Sequence, residues 1–153
     1  HVLPPAQARR VVSVIGDSTF VHSGITGMVE MVYNPPATGH VLMILDNGTT
    51  AMTGLQEHPG TGRTLNHEPT GRVVFEDLAR ALGIPHVDVI DPTRDPEALE
   101  ALLADRLAGG KLSVIITRRP CLLAAGRIKE YERAAAGRES CETSAAQGRK
   151  DGE

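Results

Sequence analysis

Short continuous apolar runs alternate with longer periodic stretches along this chain. Val11-Val12-Ser13-Val14-Ile15 is a nearly unbroken β-branched run, the pattern of a strand buried on both faces. Ile25, Met28, Val29 and Val32 then recur at i, i+3, i+4 and i+7, which predicts a helix that Asn34-Pro35-Pro36 ends. Residues 41–45 give a second strand. Residues 47–70, rich in Gly, Thr, Pro and His, read as a loop, and a loop that long in a compact domain is functional or mobile. Val74, Phe75, Leu78, Ala81 and Leu82 predict a second helix with Gly83 as its C-cap. Residues 86–90 read as the third strand. Asp95-Pro96-Glu97 then supplies an N-cap, an N1 proline and an acidic first turn. The helix it opens turns Leu99, Leu102, Leu103 and Leu107 inward and stops at Gly109-Gly110. Residues 112–116 are the fourth strand, and a short helix is expected over 127–136. From Gly137 onward large apolar residues nearly vanish, so 137–153 reads as a disordered polar tail after a 1–136 domain.

Strands alternating with helices predict right-handed βαβ units. The expected fold is therefore α/β, a parallel sheet of about four strands with helices on both faces. Ligands bind such sheets beyond the carboxyl ends of the strands.

Composition narrows the function classes. The 153 residues are 41% hydrophobic and 23% charged, with a formal net charge of −3. That is ordinary for one globular domain with a sizeable core. No basic excess points to nucleic acid, and two Phe, two Tyr and no Trp offer no base-stacking platform. Apolar runs stop at five or six residues, too short to cross a membrane. His1-Val2-Leu3-Pro4-Pro5 lacks the Met, charged start and apolar core of a signal peptide, and reads as the start of a fragment or processed product. Cys121 and Cys141 have no metal-ligand spacing, and a reducing cytoplasm fits them.

Chemistry concentrates where two strands end. The first strand delivers Gly16-Asp17-Ser18-Thr19, and the second delivers Asp46-Asn47-Gly48-Thr49-Thr50. Parallel pairing would bring Asp17 and Asn47 to the same edge of the sheet. A carboxylate, an amide oxygen and a nearby backbone carbonyl are hard donors that suit Mg²⁺, which completes its octahedral shell with phosphate oxygens and water. This reads as a diphosphate clamp, with thiamine diphosphate the leading candidate ligand. Taken singly, Asp17 is also a helix N-cap and Asn47-Gly48 a hairpin turn. The residues after Gly48 do not alternate as a return strand.

Gly16-Asp17-Ser18 also resembles the opening triplet of GDSL-type esterases. A serine nucleophile needs a histidine base held by a third group. In that family the pair is a late Asp-x-x-His, whereas the last histidine here is His86 and Gly83 stands three residues before it. No Gly-x-Gly-x-x-Gly follows the first strand, which leaves a dinucleotide site unsupported.

Three segments read together are distinctive: residues 16–25 (GDSTFVHSGI), residues 45–47 (LDN) and residues 50–62 (TAMTGLQEHPGTG). With the Arg118-Arg119-Pro120-Cys121 stretch, they closely resemble the thiamine-diphosphate-binding region of the indolepyruvate ferredoxin oxidoreductase alpha subunit, over residues 10 to about 120. The resemblance implies a partial thiamine-diphosphate-binding fold from an enzyme that oxidatively decarboxylates aryl pyruvates to acyl-CoA and reduces ferredoxin. It implies Mg²⁺ held by Asp17, the Asn47 side-chain oxygen and the Thr49 carbonyl. The diphosphate would lie against Gly16 and the Ser18 and Thr19 N–H groups, with hydroxyls from Thr50 and Thr53. His22 and His58 would lie near the thiazolium or substrate as catalytic candidates. For each of them the alternative is a structural histidine whose ring nitrogens are satisfied by backbone. The implied partners are a pyrimidine-binding domain or subunit that contributes the catalytic Glu, a beta subunit, ferredoxin, a 2-oxoacid and coenzyme A. Iron–sulfur clusters belong to regions outside this sequence or to a partner, and the chain alone is expected to be inactive.

The sequence departs from the family where Leu55 replaces a usual His and Glu57 a usual Pro. Two other readings stay open: a non-oxidative thiamine-dependent decarboxylase or synthase subunit, and a non-catalytic binding or assembly module that keeps the fold.

Overall fold

A computed structural model describes residues 11–35 and 39–133. Four strands, β1 (Val11–Gly16), β2 (His40–Asp46), β3 (His86–Ile90) and β4 (Leu112–Arg118), form one parallel sheet in the order β1-β2-β4-β3. The expected α/β parallel fold is thus the observed one. The β1–β2 register sets Ile15 beside Ile44 and Gly16 beside Leu45, so both strands release their chains at the same level.

Crossover direction decides which face each helix covers. From β1 the chain enters α1 (Asp17–Thr19), a π-helical stretch (Phe20–Gly24) and α2 (Ile25–Tyr33). The connections β1→β2 and β2→β3 advance the same way across the sheet, whereas β3→β4 steps back. Right-handed crossovers then place α2 and α3 (Phe75–Ala81) on one face and α4 (Pro96–Ala108) on the other. The main core lies on the α2–α3 face. Phe20, Met28, Phe75 and Ala79 pack there on Leu42, Ile44, Val114 and Ile116. Phe20 and Phe75 meet edge to face with ring centroids 5.4 Å apart.

The helix ends follow local chemistry. In α3 the Gly83 N–H reaches the Arg80 carbonyl and the Ile84 N–H the Ala79 carbonyl. This Schellman closure uses Gly83 at φ +85°, a conformation that glycine adopts without a Cβ penalty. At α4 the Asp95 carboxylate accepts from the Ala98 N–H at 2.8 Å, with Pro96 in the first turn.

Two expectations about helix faces need correction. Ala79, not Ala81, is the buried alanine of α3. The α4 leucines are only half-buried, and no residue of α4 is fully buried. The reason is coverage: α4 packs against β2 and is tethered to β3 by the Arg106–Asp88 ion pair at 2.8 Å, which leaves part of β1 uncovered. Val12, Val14 and Leu45 therefore remain exposed on that face, Val14 by 59%.

The long loop after β2 holds a short 3-10 turn (Ala51–Thr53) and two antiparallel bridges, Thr50–Gln56 and Arg63–Pro69. The chain is helical again over 125–133. The expected tail, and the end of the helix expected over 127–136, lie outside the described residues. Among the described residues no helix is long and apolar enough to cross a membrane.

Candidate functional site

Asp17 follows β1 directly and is 3% exposed. Its neighbours come from the loop after β2. The N–H groups of Asn47 and Gly48 donate to Asp17 Oδ2 at 3.1 and 2.9 Å, and the Ser18 N–H donates to Oδ1 at 2.8 Å. Parallel pairing therefore brings Asp17 and Asn47 together at the carboxyl end of the sheet. Burial by itself would raise the Asp17 pKa. The His58 ring beside it, with the Ser18 and Gly48 N–H groups, outweighs burial and holds the carboxyl below its ordinary range.

The loop after β2 is shaped by its own side chains. Asn47 Oδ1 accepts from the Thr49 N–H at 3.0 Å, which closes an Asx turn around Gly48 at φ +71°. Thr49 is buried, and its hydroxyl donates to the Gln56 carbonyl at 3.2 Å. The Thr50 hydroxyl donates to Ser18 Oγ at 2.7 Å and ties this loop to the start of α1. Thr53 stands apart: it is exposed, and its hydroxyl is spent on Gln56 Oε1. The Ser18 N–H is likewise committed to Asp17. Gly16 and Gly48 border open space, since a Cβ on either would meet nothing within 4 Å.

His58 and His22 border one cleft of about 400 Å³, together with Glu57, Pro59, Arg63 and Leu65. Their settings differ. The His22 residue is exposed on the π-helical stretch. The His58 side chain is fully buried, with Nε2 3.3 Å from Asp17 Oδ2. The Gly60 N–H donates to His58 Nδ1 at 3.1 Å.

The pairing of residues in two charged clusters carries no local sequence signal. Arg118, at the end of β4, donates to Asp46 Oδ2 at 2.7 Å and to both oxygens of Glu76 at 3.0 and 2.7 Å. The Arg119 N–H reaches the Asp46 carbonyl, and the Cys121 N–H the Asn47 carbonyl. These bonds lock the exits of β2 and β4 together. Elsewhere Glu57 Oε1 takes Arg63 Nε at 2.8 Å and His67 Nδ1 at 3.0 Å. His67 stacks on Tyr131 of the last helix, with centroids 4.0 Å apart. Glu57 is the departure noted above; its partners lie in a loop whose folding no periodicity encodes.

The Arg118 cluster gives a pH prediction. The hydrogen bonds from Arg118 hold Glu76 down to about 2 against partial burial. A carboxyl depressed in the folded state contributes stability above its unfolded pKa, near 4.5. That contribution is lost as pH falls toward the folded value. Melting temperature should hold between neutral pH and about pH 5 and fall below that. Glu76→Gln should melt lower at neutral pH yet lose less on acidification. Thermal melts of both proteins check this, and parallel acid curves would refute it.

The donor set fits a hard cation. Asp17 Oδ2 already faces three donors, two backbone N–H groups and His58 Nε2. Oδ1 has one, and Asn47 Oδ1 has one. Each of the latter two oxygens keeps a lone pair, and among the described residues nothing donates to the Thr49 carbonyl. One carboxylate, one amide oxygen and one carbonyl suit Mg²⁺ completed by phosphate. They do not form a three-membered His, Cys, Asp or Glu cluster, and none occurs among the described residues.

Comparison with known proteins supports a thiamine-diphosphate-binding domain. The model of the thiamine pyrophosphate enzyme C-terminal TPP binding domain, thiamine pyrophosphate being thiamine diphosphate, matches residues 2–117. The chain belongs to this family. It is also 38% identical over 123 residues to the indolepyruvate oxidoreductase subunit IorA of Archaeoglobus fulgidus, covering 80% of this chain and 19% of that protein. To the subunits of the same name from Methanothermobacter marburgensis and Pyrococcus horikoshii it is 39% and 40% identical, over 81% and 74% of this chain and 20% and 17% of theirs. The chain thus spans about a fifth of the length of these curated relatives.

Proposed function

We propose that this chain is the Mg²⁺–thiamine-diphosphate-binding part of an indolepyruvate ferredoxin oxidoreductase, which oxidatively decarboxylates aryl pyruvates to acyl-CoA. The observation that carries the reading is the Asp17–Asn47 arrangement: a pinned carboxylate and an Asx-turn oxygen, on adjacent strand ends, each with a lone pair to spare. Asp17, Asn47 and the Thr49 carbonyl would hold Mg²⁺. Gly16 and Gly48 would let the diphosphate approach the backbone, with Ser18, Thr19 and Thr50 beside it. The Thr50 and Thr53 hydroxyls both already have partners, and Thr53 is the weakest member of the predicted set because it is also exposed and bonded away from Ser18, to Gln56.

When bound, the cofactor supplies a thiazolium centre that stabilises carbanion character at the substrate. The residues of this chain neutralise diphosphate charge, fix the cofactor's orientation and wall the cleft bordered by His22 and His58. The Glu that acts on the aminopyrimidine would come from a pyrimidine-binding domain or subunit, and electrons would pass to iron–sulfur clusters and ferredoxin beyond this chain. The uncovered Val12–Val14–Leu45 face supports docking of further parts of the assembly.

Calorimetric titration of the complete protein with thiamine diphosphate tests the reading. Heat of binding should appear with Mg²⁺ present and vanish when a chelator removes it. Tight binding without any divalent cation would overturn it.

A further inference from the structure

His58 has one ring proton, and the geometry says where it is. The Gly60 N–H donates to Nδ1 at 3.1 Å, so Nδ1 carries no hydrogen and the ring is neutral. The proton sits on Nε2. That nitrogen is buried, lies 3.3 Å from Asp17 Oδ2, and has no well-formed hydrogen bond among the described residues. The contact is longer than an ordinary N–H···O bond. A buried donor with no other partner is costly, so its placement against a carboxylate calls for a reason.

The surrounding turn holds the ring in that orientation. The Thr61 N–H and hydroxyl both donate to the His58 carbonyl, at 2.9 and 3.0 Å. The Val73 N–H donates to the Pro59 carbonyl at 2.9 Å. Gly60 is wedged between rings: a Cβ there would fall 2.5 Å from Phe75 Cζ and 3.0 Å from His58 Cε1. Core, turn and imidazole are therefore packed together beside Asp17.

We infer that His58 is a positioning residue for the cation site, a neutral Nε2–H donor that turns Asp17 Oδ2 inward and leaves Oδ1 facing the metal. The inference rests on the proposed function and replaces a role at the substrate with one behind a metal ligand. Partners that orient metal-binding side chains are worth about 10- to 100-fold in metal affinity.

The test compares wild type, His58→Gln and His58→Phe in the complete protein. Glutamine can place an amide N–H near the Nε2 position, whereas phenylalanine fills the space without a donor. Calorimetry at fixed thiamine diphosphate should show the Mg²⁺ requirement of His58→Phe raised about 10- to 100-fold, with His58→Gln within about threefold of wild type. Ligand-free melts establish that each variant is folded. Equal Mg²⁺ requirements for folded His58→Phe and wild type would overturn the inference, and so would a folded His58→Gln as weak as His58→Phe. If the phenylalanine variant does not fold, long-range ¹H–¹⁵N spectra of wild type decide: the Nε2–H tautomer supports the assignment and the Nδ1–H tautomer overturns it. Failure of wild type to bind Mg²⁺ with thiamine diphosphate at all would be a different result, and would sink the proposed function itself.

Discussion

Asp17→Ala is expected to abolish retention of thiamine diphosphate in the complete protein at about millimolar Mg²⁺, while Asp46→Ala retains it measurably. Both aspartates sit where strands end, but they face different partners. Asp17 collects the N–H groups of Ser18, Asn47 and Gly48 and faces His58 Nε2. Removing it takes away the charged metal ligand and strands several donors, each at about 1–3 kcal/mol where burial is complete. Asp46 is committed to Arg118 at 2.7 Å. Its loss leaves Arg118 with Glu76, so the cost falls on stability first. Asp17→Asn separates the two effects, because it keeps the shape and removes the charge. Calorimetry on all three variants, paired with thermal melts, checks this. A folded Asp17→Asn that binds as wild type does would end the metal-ligand assignment.

The strands were legible as short unbroken apolar runs, but the doubly buried strand that such a run implies is β4, whereas β1, expected to be covered on both sides, leaves Val12 and Val14 exposed on one face. Observed strands extend the expected ones only at their ends, to Gly16, His40–Asp46 and Arg118. The start of the first helix was less legible. Apolar periodicity begins at Ile25, but the chain is already helical from Asp17, through a π-helical stretch that breaks the 3.6-residue period. Gly24 explains the tight seat of that stretch: a Cβ there would lie 2.7 Å from Ile15 Cδ1. Within the site, the proximity of Asp17 and Asn47 followed from two strand ends in one sheet. The approach of His58 to Asp17 did not. It depends on a loop folding back through the Thr50–Gln56 bridge and on the fit of Gly60 to Phe75. The Arg118 network links residues 42 and 72 positions apart, and no local pattern announces such a pairing.

Phe75→Ala is the core substitution with the largest expected cost, about 3–5 kcal/mol. Only two phenylalanines occur in the chain, both are buried, and they pack on each other. Phe20 belongs to the π-helical stretch just after Asp17, and Phe75 opens α3 and touches the Gly60 turn. Truncating Phe75 leaves a void between the sheet and α3, which the parallel strands cannot close without losing register. Domains of this size are stable by only about 5–15 kcal/mol, so the variant should melt well below wild type. It should also loosen the His58 turn, because the ring that wedges Gly60 is gone. Phe75→Leu keeps most of the volume and should cost less, about 1–2 kcal/mol by the usual scale of apolar swaps. Urea unfolding followed by circular dichroism measures both. If Phe75→Ala and Phe75→Leu unfold at the same midpoint as wild type, Phe75 does not join the core to the site.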